Sequence, residues 1–473
     1  MRARQRRNVS SVSLALLSPR QSGMTARADV AAQRHRAREI RALTALVESP
    51  ASATRSVIAG PVHLRIGLLG LGNVGSAVAR LARGASERLT GRGFDLDPIA
   101  ALVRTPSPAR AAAASLACLT DDPDLLFAQP LDIVIEAIGG VEPAYSLVVR
   151  ALTSGIPVVT ANKSLVAARG DALADIARAH GVGFRYEAAC IAGVPFLGTF
   201  AERPLATRAG GLTAILNGTS NAILSDIAAG SSFAAALERA QRLGLAEPDP
   251  SMDVSGRDAA EKLTILIALF GSRRIHSEAL HVTGIEDVDP VDLRAAEQLG
   301  GVLAPIAHAS WDGESLEAFV GPAFFPQTHP LARISGRTNG ILIDAVGGRQ
   351  LFAGPGAGPD VTAATILDDV CESAANPASF RSAERLVAAT PRRPGASAWF
   401  VRIDGDRPVV ETCELFAAQG VRCTGTAPRP GRLYAVTLPC APAHIDAAVA
   451  ALRASTGCAA IAFPALPDEA FAC

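Results

Sequence analysis

The chain has 473 residues, 45 basic and 45 acidic side chains, no net charge and 49% apolar content, which suits about three domains and excludes wholesale disorder. No run approaches the roughly 18 apolar residues of a membrane helix; the longest candidate is Leu263 to Phe270. Aromatics at 4%, and a basic excess confined to the first sixty residues, argue against a nucleic-acid surface.

Residues 1–60 carry eleven arginines against Asp29, Glu39 and Glu48 and lack a hydrophobic pattern. They read as a disordered extension or as an upstream start with Met24 as the internal alternative. Their acid-poor composition also resembles an organellar transit peptide. The eight cysteines are scattered with no C-x-x-C spacing. That points to free thiols in a reducing, cytoplasmic setting.

From Val62 the pattern becomes regular. His63–Leu69 is a short strand ending in glycines, and Val74–Leu81 is a helix. A polar loop, Gly84 to Asp97, leads to a second strand at Pro98–Val103. Leu131–Ala137 is a strand apolar enough for burial on both faces. A helix over Tyr145–Ser154 and a strand over Ile156–Thr160 follow. This alternation predicts a doubly wound parallel sheet, an α/β fold of Rossmann type. Residues 190–345 alternate less clearly, with a helix after Ser255 and a strand at Gly340–Val346. Prolines 377, 391 and 394 mark a linker over 376–396. The remainder reads strand 398–403, helix 410–419, strands 421–425 and 433–438, helix 443–455, strand 459–463, a βαββαβ order.

Four motifs sit at strand ends or on stiff loops. Gly70-Leu71-Gly72-Asn73-Val74-Gly75 follows a strand and opens a helix: Gly70 for the tight turn, Gly72 for close approach of a pyrophosphate, Gly75 for helix–strand packing. Arg104, at the end of the second strand, suits a 2′-phosphate and favours NADP over NAD; the alternative is a solvated arginine. Ile138-Gly139-Gly140 ends the third strand, where it faces a cofactor crevice or forms an ordinary turn. Thr160-Ala161-Asn162-Lys163 brings an ammonium to the next strand end. In Glu247-Pro248-Asp249-Pro250, two prolines stiffen an acidic loop before Asp253, Asp258 and Lys262. Ser255 reads as the N-cap of the helix that follows, so Asp258 and Lys262 share a face at i and i+4. Spacing alone leaves that pair readable as a surface salt bridge.

Of 45 basic residues only Lys163 and Lys262 are lysine. A bias that replaces every other lysine has spared two, both inside these motifs. An ammonium is a compact charge with a movable pKa and a guanidinium is not, so both are read as chemically required.

The ordered series GLGNVG, VIEAIGG, VVTANKSL, YEAACIAGVP, ILNGTSNAIL, GLAEPDPSMDVSGRDAAEKL and FAGPGAGPDVTA, spanning Leu64 to Asp369, resembles homoserine dehydrogenase. The resemblance implies reversible NAD(P)-dependent interconversion of L-homoserine and L-aspartate 4-semialdehyde, on the route to threonine, isoleucine and methionine. It implies that Glu247 binds the substrate amino group, with Asp253, Asp258 and Lys262 around the substrate. Lys163 lies beside the nicotinamide as first choice for proton transfer, with Lys262 second. A lysine acting as base there needs a lowered pKa. The loop Gly354 to Gly358 returns to the cofactor domain and covers the site. A monovalent cation, Na⁺ or K⁺, is implied at Glu187 and the carbonyls of Cys190, Ala192 and Val194, though Ile191 is bulkier than the family's usual residue. The resemblance divides the chain into a cofactor domain at 61–190, a substrate and dimerisation domain at 191–345, a return segment at 346–375 and an ACT-like regulatory domain at 397–473. For that last module the resemblance implies a threonine site, although Asp406-Arg407-Pro408-Val409 lacks the usual Pro-Gly. A homodimer or homotetramer is implied, with no attached kinase.

Overall fold

The computed structural model describes residues 61–201, 209–376 and 386–467. The basic extension at 1–60 and residues 377–385 of the expected linker lie outside the described residues. The N-terminal part builds β1 (Val62–Leu69), α1 (Asn73–Gly84), β2 (Phe94–Leu102), β3 (Cys118–Thr120), β4 (Ile133–Glu136), α2 (Ala144–Thr153), β5 (Val158–Thr160), α3 (Lys163–His180) and β6 (Phe184–Arg185). All six strands are parallel, in the order β3-β2-β1-β4-β5-β6. The direction of winding reverses between β1 and β4, which opens a crevice at their carboxyl ends. The expected polar loop at 84–97 instead holds a short helix, Ser86–Thr90, and the first four residues of β2. Asp95 and Asp97 disguise that strand. They alternate with Phe94 and Leu96, and Leu96 is buried while Asp95 pairs with His63 on the neighbouring strand. β3 escaped notice because three residues carry no period.

The second sheet is antiparallel where β7 (Ala209–Ile215) meets its neighbours. Helices α4 (Gly218–Ala228), α5 (Arg257–Gly271) and α6 (Pro290–Gln298) precede the long hairpin β8 (Gly301–Asp312) and β9 (Ser315–Pro326). β10 (Asn339–Ala345) and β11 (Gly348–Gly354) complete the order β11-β10-β7-β8-β9. From Leu263 onward helix α5 is apolar nearly all round, and that part is buried for that reason. Its Leu263, Leu266 and Ile267 join Leu165 and Leu173 of α3, Val134 and Val158 of the first sheet and Leu212 and Ile341 of the second in one continuous core. The chain then returns through α7 (Pro359–Ala375), whose Ala363, Ile366 and Val370 pack with Ile66, Leu68, Val78 and Ile135 on the other face of the first sheet.

The C-terminal module is β12 (Ala398–Asp404), α8 (Val409–Ala418), β13 (Cys423–Arg429), β14 (Arg432–Thr437), α9 (Pro442–Thr456) and β15 (Ala460–Ala465), the βαββαβ order read from sequence. It does not stand apart: β15 pairs with β9 at Phe324 and Ala465, so its strands continue the second sheet as β9-β15-β12-β14-β13. The described part of the linker is stitched down as well. Val387–Ala388 pairs with Arg273–Arg274, and Arg392 exchanges backbone hydrogen bonds with Leu316 and Ala318.

Candidate active site

The glycine-rich turn between β1 and α1 has the three-way division of labour that its sequence suggests. Gly70 sits at φ +101°, and a Cβ there would lie 2.7 Å from the Ala137 carbonyl oxygen. A Cβ on Gly75 would come within 2.2 Å of the Gly70 carbonyl oxygen. Gly72 meets nothing within 4 Å. It is also the N-cap of α1 and carries no capping side chain, so the first N–H groups of the helix, at Asn73 and Val74 onward, lack a side-chain acceptor. An open glycine at a helix N-terminus fits a phosphate group. A cleft of about 760 Å³ adjoins this turn, lined by Gly72, Asn73, Ser76, Arg80 and Arg110 among others. Arg110, which sequence reasoning missed, donates to the Leu71 carbonyl within the turn at 2.5 Å. Arg104, at the end of β2, is exposed. Ile138 and Gly139, with φ +86° at Gly139, form the partly exposed turn at the end of β4.

The two lysines converge on one carboxylate. Lys163 opens α3, where Asn162 caps the helix by accepting from the Leu165 N–H at 3.1 Å. Its Nζ lies 3.2 Å from Asp258 Oδ1. Lys262 Nζ lies 2.9 Å from Asp258 Oδ2 and donates to the Leu216 carbonyl at 2.8 Å. Asn217, the N-cap of α4, donates to Asp258 at 2.9 Å and to Asp253 at 2.7 Å. Its amide bridges the two acids. Asn217 was another omission; next to Gly-Thr-Ser it reads only as a helix cap. Asn339, from β10, donates to the same Leu216 carbonyl at 2.7 Å. Ser164 donates to Glu261 at 2.9 Å, tying α3 to α5.

One expected detail is overturned. Ser255 does not cap α5, because Ser251–Val254 forms a separate short turn of helix and Gly256, at φ +82°, takes the N-cap position. The Ser255 hydroxyl is buried without a hydrogen-bond partner among the described residues. A Cβ on Gly256 would sit 3.1 Å from Val282 and 3.3 Å from Val320, so space and backbone both select glycine there. The consequence matters for charge: Asp258 falls in the first turn of α5, where the helix dipole favours an anion.

Burial opposes the charge on Asp258, but Lys262, Lys163 and the Asn217 hydrogen bond outweigh it and hold the carboxyl below the ordinary aspartate value. Burial likewise works to lower the Lys163 pKa, yet Asp258, Glu261 and Asp253 together leave it above the usual lysine value. The lowered pKa that a basic lysine needs is thus not met at Lys163; its neighbours favour the ammonium form. Burial raises the carboxyls of Asp253 and Glu261.

The remaining expected residues lie as follows. Glu247 is exposed on its proline-stiffened loop, and among the described residues the ion pairs of Lys163 and Lys262 run to Asp258 and not to it. Glu187 is buried, and its Oε1 accepts from the N–H groups of Leu197 at 3.1 Å and Gly198 at 3.5 Å. The Ile191 side chain enters the core, so its bulk does not fill the loop. A carboxylate with the carbonyls of Cys190, Ala192 and Val194 is an all-oxygen donor set, and each carbonyl has two lone pairs, which suits a hard cation. Ala192 pairs with Gly356, and a Cβ on Gly354 would lie 2.7 Å from Val194, so the glycine loop 354–358 rests on this segment. The described cysteines are free thiols.

Two family models match the chain: homoserine dehydrogenase over residues 195–371, and the homoserine dehydrogenase NAD-binding domain over 70–187. Homoserine dehydrogenase of Neisseria gonorrhoeae is 34% identical over 314 residues, covering 66% of this chain and 72% of that protein. That of Synechocystis is 37% identical over 318 residues, 65% and 72%. Among solved structures, a homoserine dehydrogenase from Thiobacillus denitrificans superposes with TM-score 0.80 at 31% identity, over 87% of this chain and 100% of the other. A hyperthermophilic archaeal homoserine dehydrogenase in complex with NADPH gives 0.56 at 25%, over 66% and 98%. Motifs, fold and relatives agree, and the chain belongs to the homoserine dehydrogenase family, oxidoreductases that interconvert L-homoserine and L-aspartate 4-semialdehyde with a nicotinamide dinucleotide.

Proposed function

We propose that Lys163 is the proton-transfer group and that reduction of the semialdehyde is the direction the free site is poised for. The observation that carries this reading is the charged Lys163 ammonium held 3.2 Å from Asp258 at the first turn of α3. A bound nicotinamide dinucleotide supplies or accepts the hydride. The Lys163 ammonium donates a proton to the alkoxide oxygen that develops on the carbonyl, and oxidation runs by the reverse transfer. Asp258 orients both ammonium groups and balances their charge. Lys262, pinned between Asp258 and the Leu216 carbonyl, holds the substrate, with Asp253 beside it. Glu247 takes the substrate amino group, which requires its exposed loop to approach the bound molecule. Arg104, with Arg110 over the glycine turn, favours NADP over NAD through the 2′-phosphate. The Ile138–Gly139 turn and Gly354 border the same dinucleotide. A Na⁺ or K⁺ ion held by Glu187 and the carbonyls of Cys190, Ala192 and Val194 supplies charge that fixes the loop under Gly354–Gly358.

The same reading assigns cofactor binding to residues 61–190, substrate binding and dimerisation to 191–345, and regulation to an ACT-like module at 397–473 that binds threonine. It makes the protein a cytoplasmic homodimer or homotetramer serving threonine, methionine and isoleucine synthesis. The decisive assay follows reduced-nicotinamide absorbance with L-homoserine and either NADP or NAD, for the native chain, Lys163→Met and Lys262→Met. The expected result is faster turnover with NADP and loss by orders of magnitude in Lys163→Met. Native turnover in Lys163→Met would overturn the assignment of Lys163.

A further inference from the structure

Glu136 is the last residue of β4 and is completely buried. No cation pairs with it among the described residues, and burial pushes its carboxyl above the ordinary glutamate value. A carboxylate in that position is expensive unless its oxygens are well supplied with donors. They are. Oε1 accepts from the backbone N–H of Ile138 at 2.7 Å and of Gly139 at 3.4 Å, and from Asn162 Nδ2 at 3.4 Å. Oε2 accepts from the Thr160 hydroxyl.

These donors belong to two different parts of the site. Ile138 and Gly139 form the turn that ends β4. Thr160 ends β5, in register with Glu136 across the parallel pair. Asn162 caps α3 immediately before Lys163. Its N–H donates to Thr160 Oγ1 at 3.0 Å, and its Nδ2 donates to the Gly140 carbonyl at 2.6 Å. The chain of contacts therefore runs from the turn at 138–140, through Glu136, to Thr160 and Asn162, and on to the residue bearing the ammonium. Because a trans peptide sets C=O opposite to N–H, drawing the Ile138 N–H toward Glu136 turns the Ala137 carbonyl away from it. That carbonyl faces Gly70 of the dinucleotide turn. Hydrophobic residues would fill the space at lower desolvation cost, but they would leave the N–H groups at 138 and 139 without this acceptor.

We infer that Glu136 is a positioning residue that fixes the cofactor-facing turn Ile138–Gly140 and the Lys163-bearing helix start as one unit, setting the distance between hydride and proton transfer. The inference rests on the reading of Lys163 and of that turn given above. Since misplacement by about 1 Å can lower a rate about 100-fold, small changes at Glu136 should register in catalysis. Glu136 is completely buried, so it acts through its neighbours rather than directly on a ligand.

The test compares Glu136→Gln, Glu136→Ala and Thr160→Val, using L-homoserine deuterated at C4 to read the isotope effect on hydride transfer. In Glu136→Ala, kcat falls about 100-fold, the dinucleotide KM rises, the isotope effect on kcat increases and the homoserine KM is nearly unchanged. Glu136→Gln recovers much of the loss, since its amide oxygen still accepts from Ile138 and its NH₂ can donate to a rotated Thr160 hydroxyl. If Glu136→Ala does not fold, Glu136→Gln and Thr160→Val carry the comparison, each showing the same changes to a smaller degree. Native kcat and isotope effect in variants that are merely less heat-stable would overturn the inference and leave Glu136 a structural residue. Lys163→Met run in parallel separates the two claims, because native turnover there sinks the Lys163 reading whatever Glu136 does.

Discussion

Lys163 and Asp258 form an ion pair between the first turns of two helices, one leaving the parallel sheet and the other crossing between the sheets. The two ends are electrostatically unequal. A carboxylate is favoured at a helix N-terminus and an ammonium is disfavoured there, so Asp258 is the anchor and Lys163 is the group held in place by it.

Replacing Asp258 should therefore act on both lysines. Asp258→Asn keeps the shape and removes the charge, leaving two ammonium groups facing each other. The expected result is loss of kcat/KM by roughly 10² or more together with a lower pKa for the essential acid, seen as a shift of the pH–rate profile to lower pH. An unchanged profile would mean that Lys163 is not the titrating group.

Gly72 and Gly75 should fail differently although both belong to one turn. A Cβ at Gly75 collides with the Gly70 carbonyl at 2.2 Å, so Gly75→Ala should lower the melting temperature and weaken dinucleotide binding. At Gly72 there is open space, so Gly72→Val should leave the melting temperature near native while raising the dinucleotide KM. Calorimetry beside dinucleotide titration separates them.

His308 gives the chain an acid-sensitive element away from the site. Burial in the second sheet depresses its pKa to about 4, and its Nδ1 lies 2.9 Å from the Thr213 hydroxyl. A depressed folded-state pKa contributes stability above the unfolded value of about 6.5 and loses it as pH falls toward 4. The full difference corresponds to at most about 3 kcal/mol. Melting curves between pH 7 and 4 should show this loss, and His308→Gln should flatten it.

The C-terminal module is held by a buried acid of the central part. Asp292, in the first turn of α6, takes Arg402 of β12 at 2.9 Å and the Tyr434 hydroxyl of β14 at 2.6 Å. Arg432 bonds Asp289 alongside. Removing one member of a buried pair strands the other, so Asp292→Ala should cost about 3–5 kcal/mol. Tyr434→Phe removes one hydrogen bond to a charged group and should cost about 1.5–3 kcal/mol. Denaturant titration of the whole chain measures both; a native midpoint for Asp292→Ala would show that the strand pairing alone holds the module.

Much of the site could be read locally because its parts are local. Gly72 and Gly75 need only the turn itself and the adjoining helix, and the positive φ of Gly70 is likewise local, although its close neighbour Ala137 is not. Asp258 and Lys262 meet because one helical turn separates them. Where the reading went astray, a neighbour distant in sequence decided. Asp95 and Asp97 concealed a strand whose partner is β1. Ser255 lost its capping role to Gly256, whose left-handed backbone, packed closely against Val282 and Val320, starts the helix one residue later. Asn217, Arg110 and Asn339 were passed over since nothing near them in sequence marks the carbonyls and carboxylates they bind.

By itself the sequence determined most of the strand and helix order in the first and last parts of the chain, the cofactor turn and the family, because periodicity, glycine placement and ordered motifs are properties of short segments. Only the tertiary structure decided that Lys163 faces Asp258, that its ammonium stays charged, and that the C-terminal strands extend the central sheet. Those outcomes depend on the packing of α3 against α5 and of β15 against β9, where desolvation and Coulomb attraction compete at a few ångströms between residues far apart along the chain.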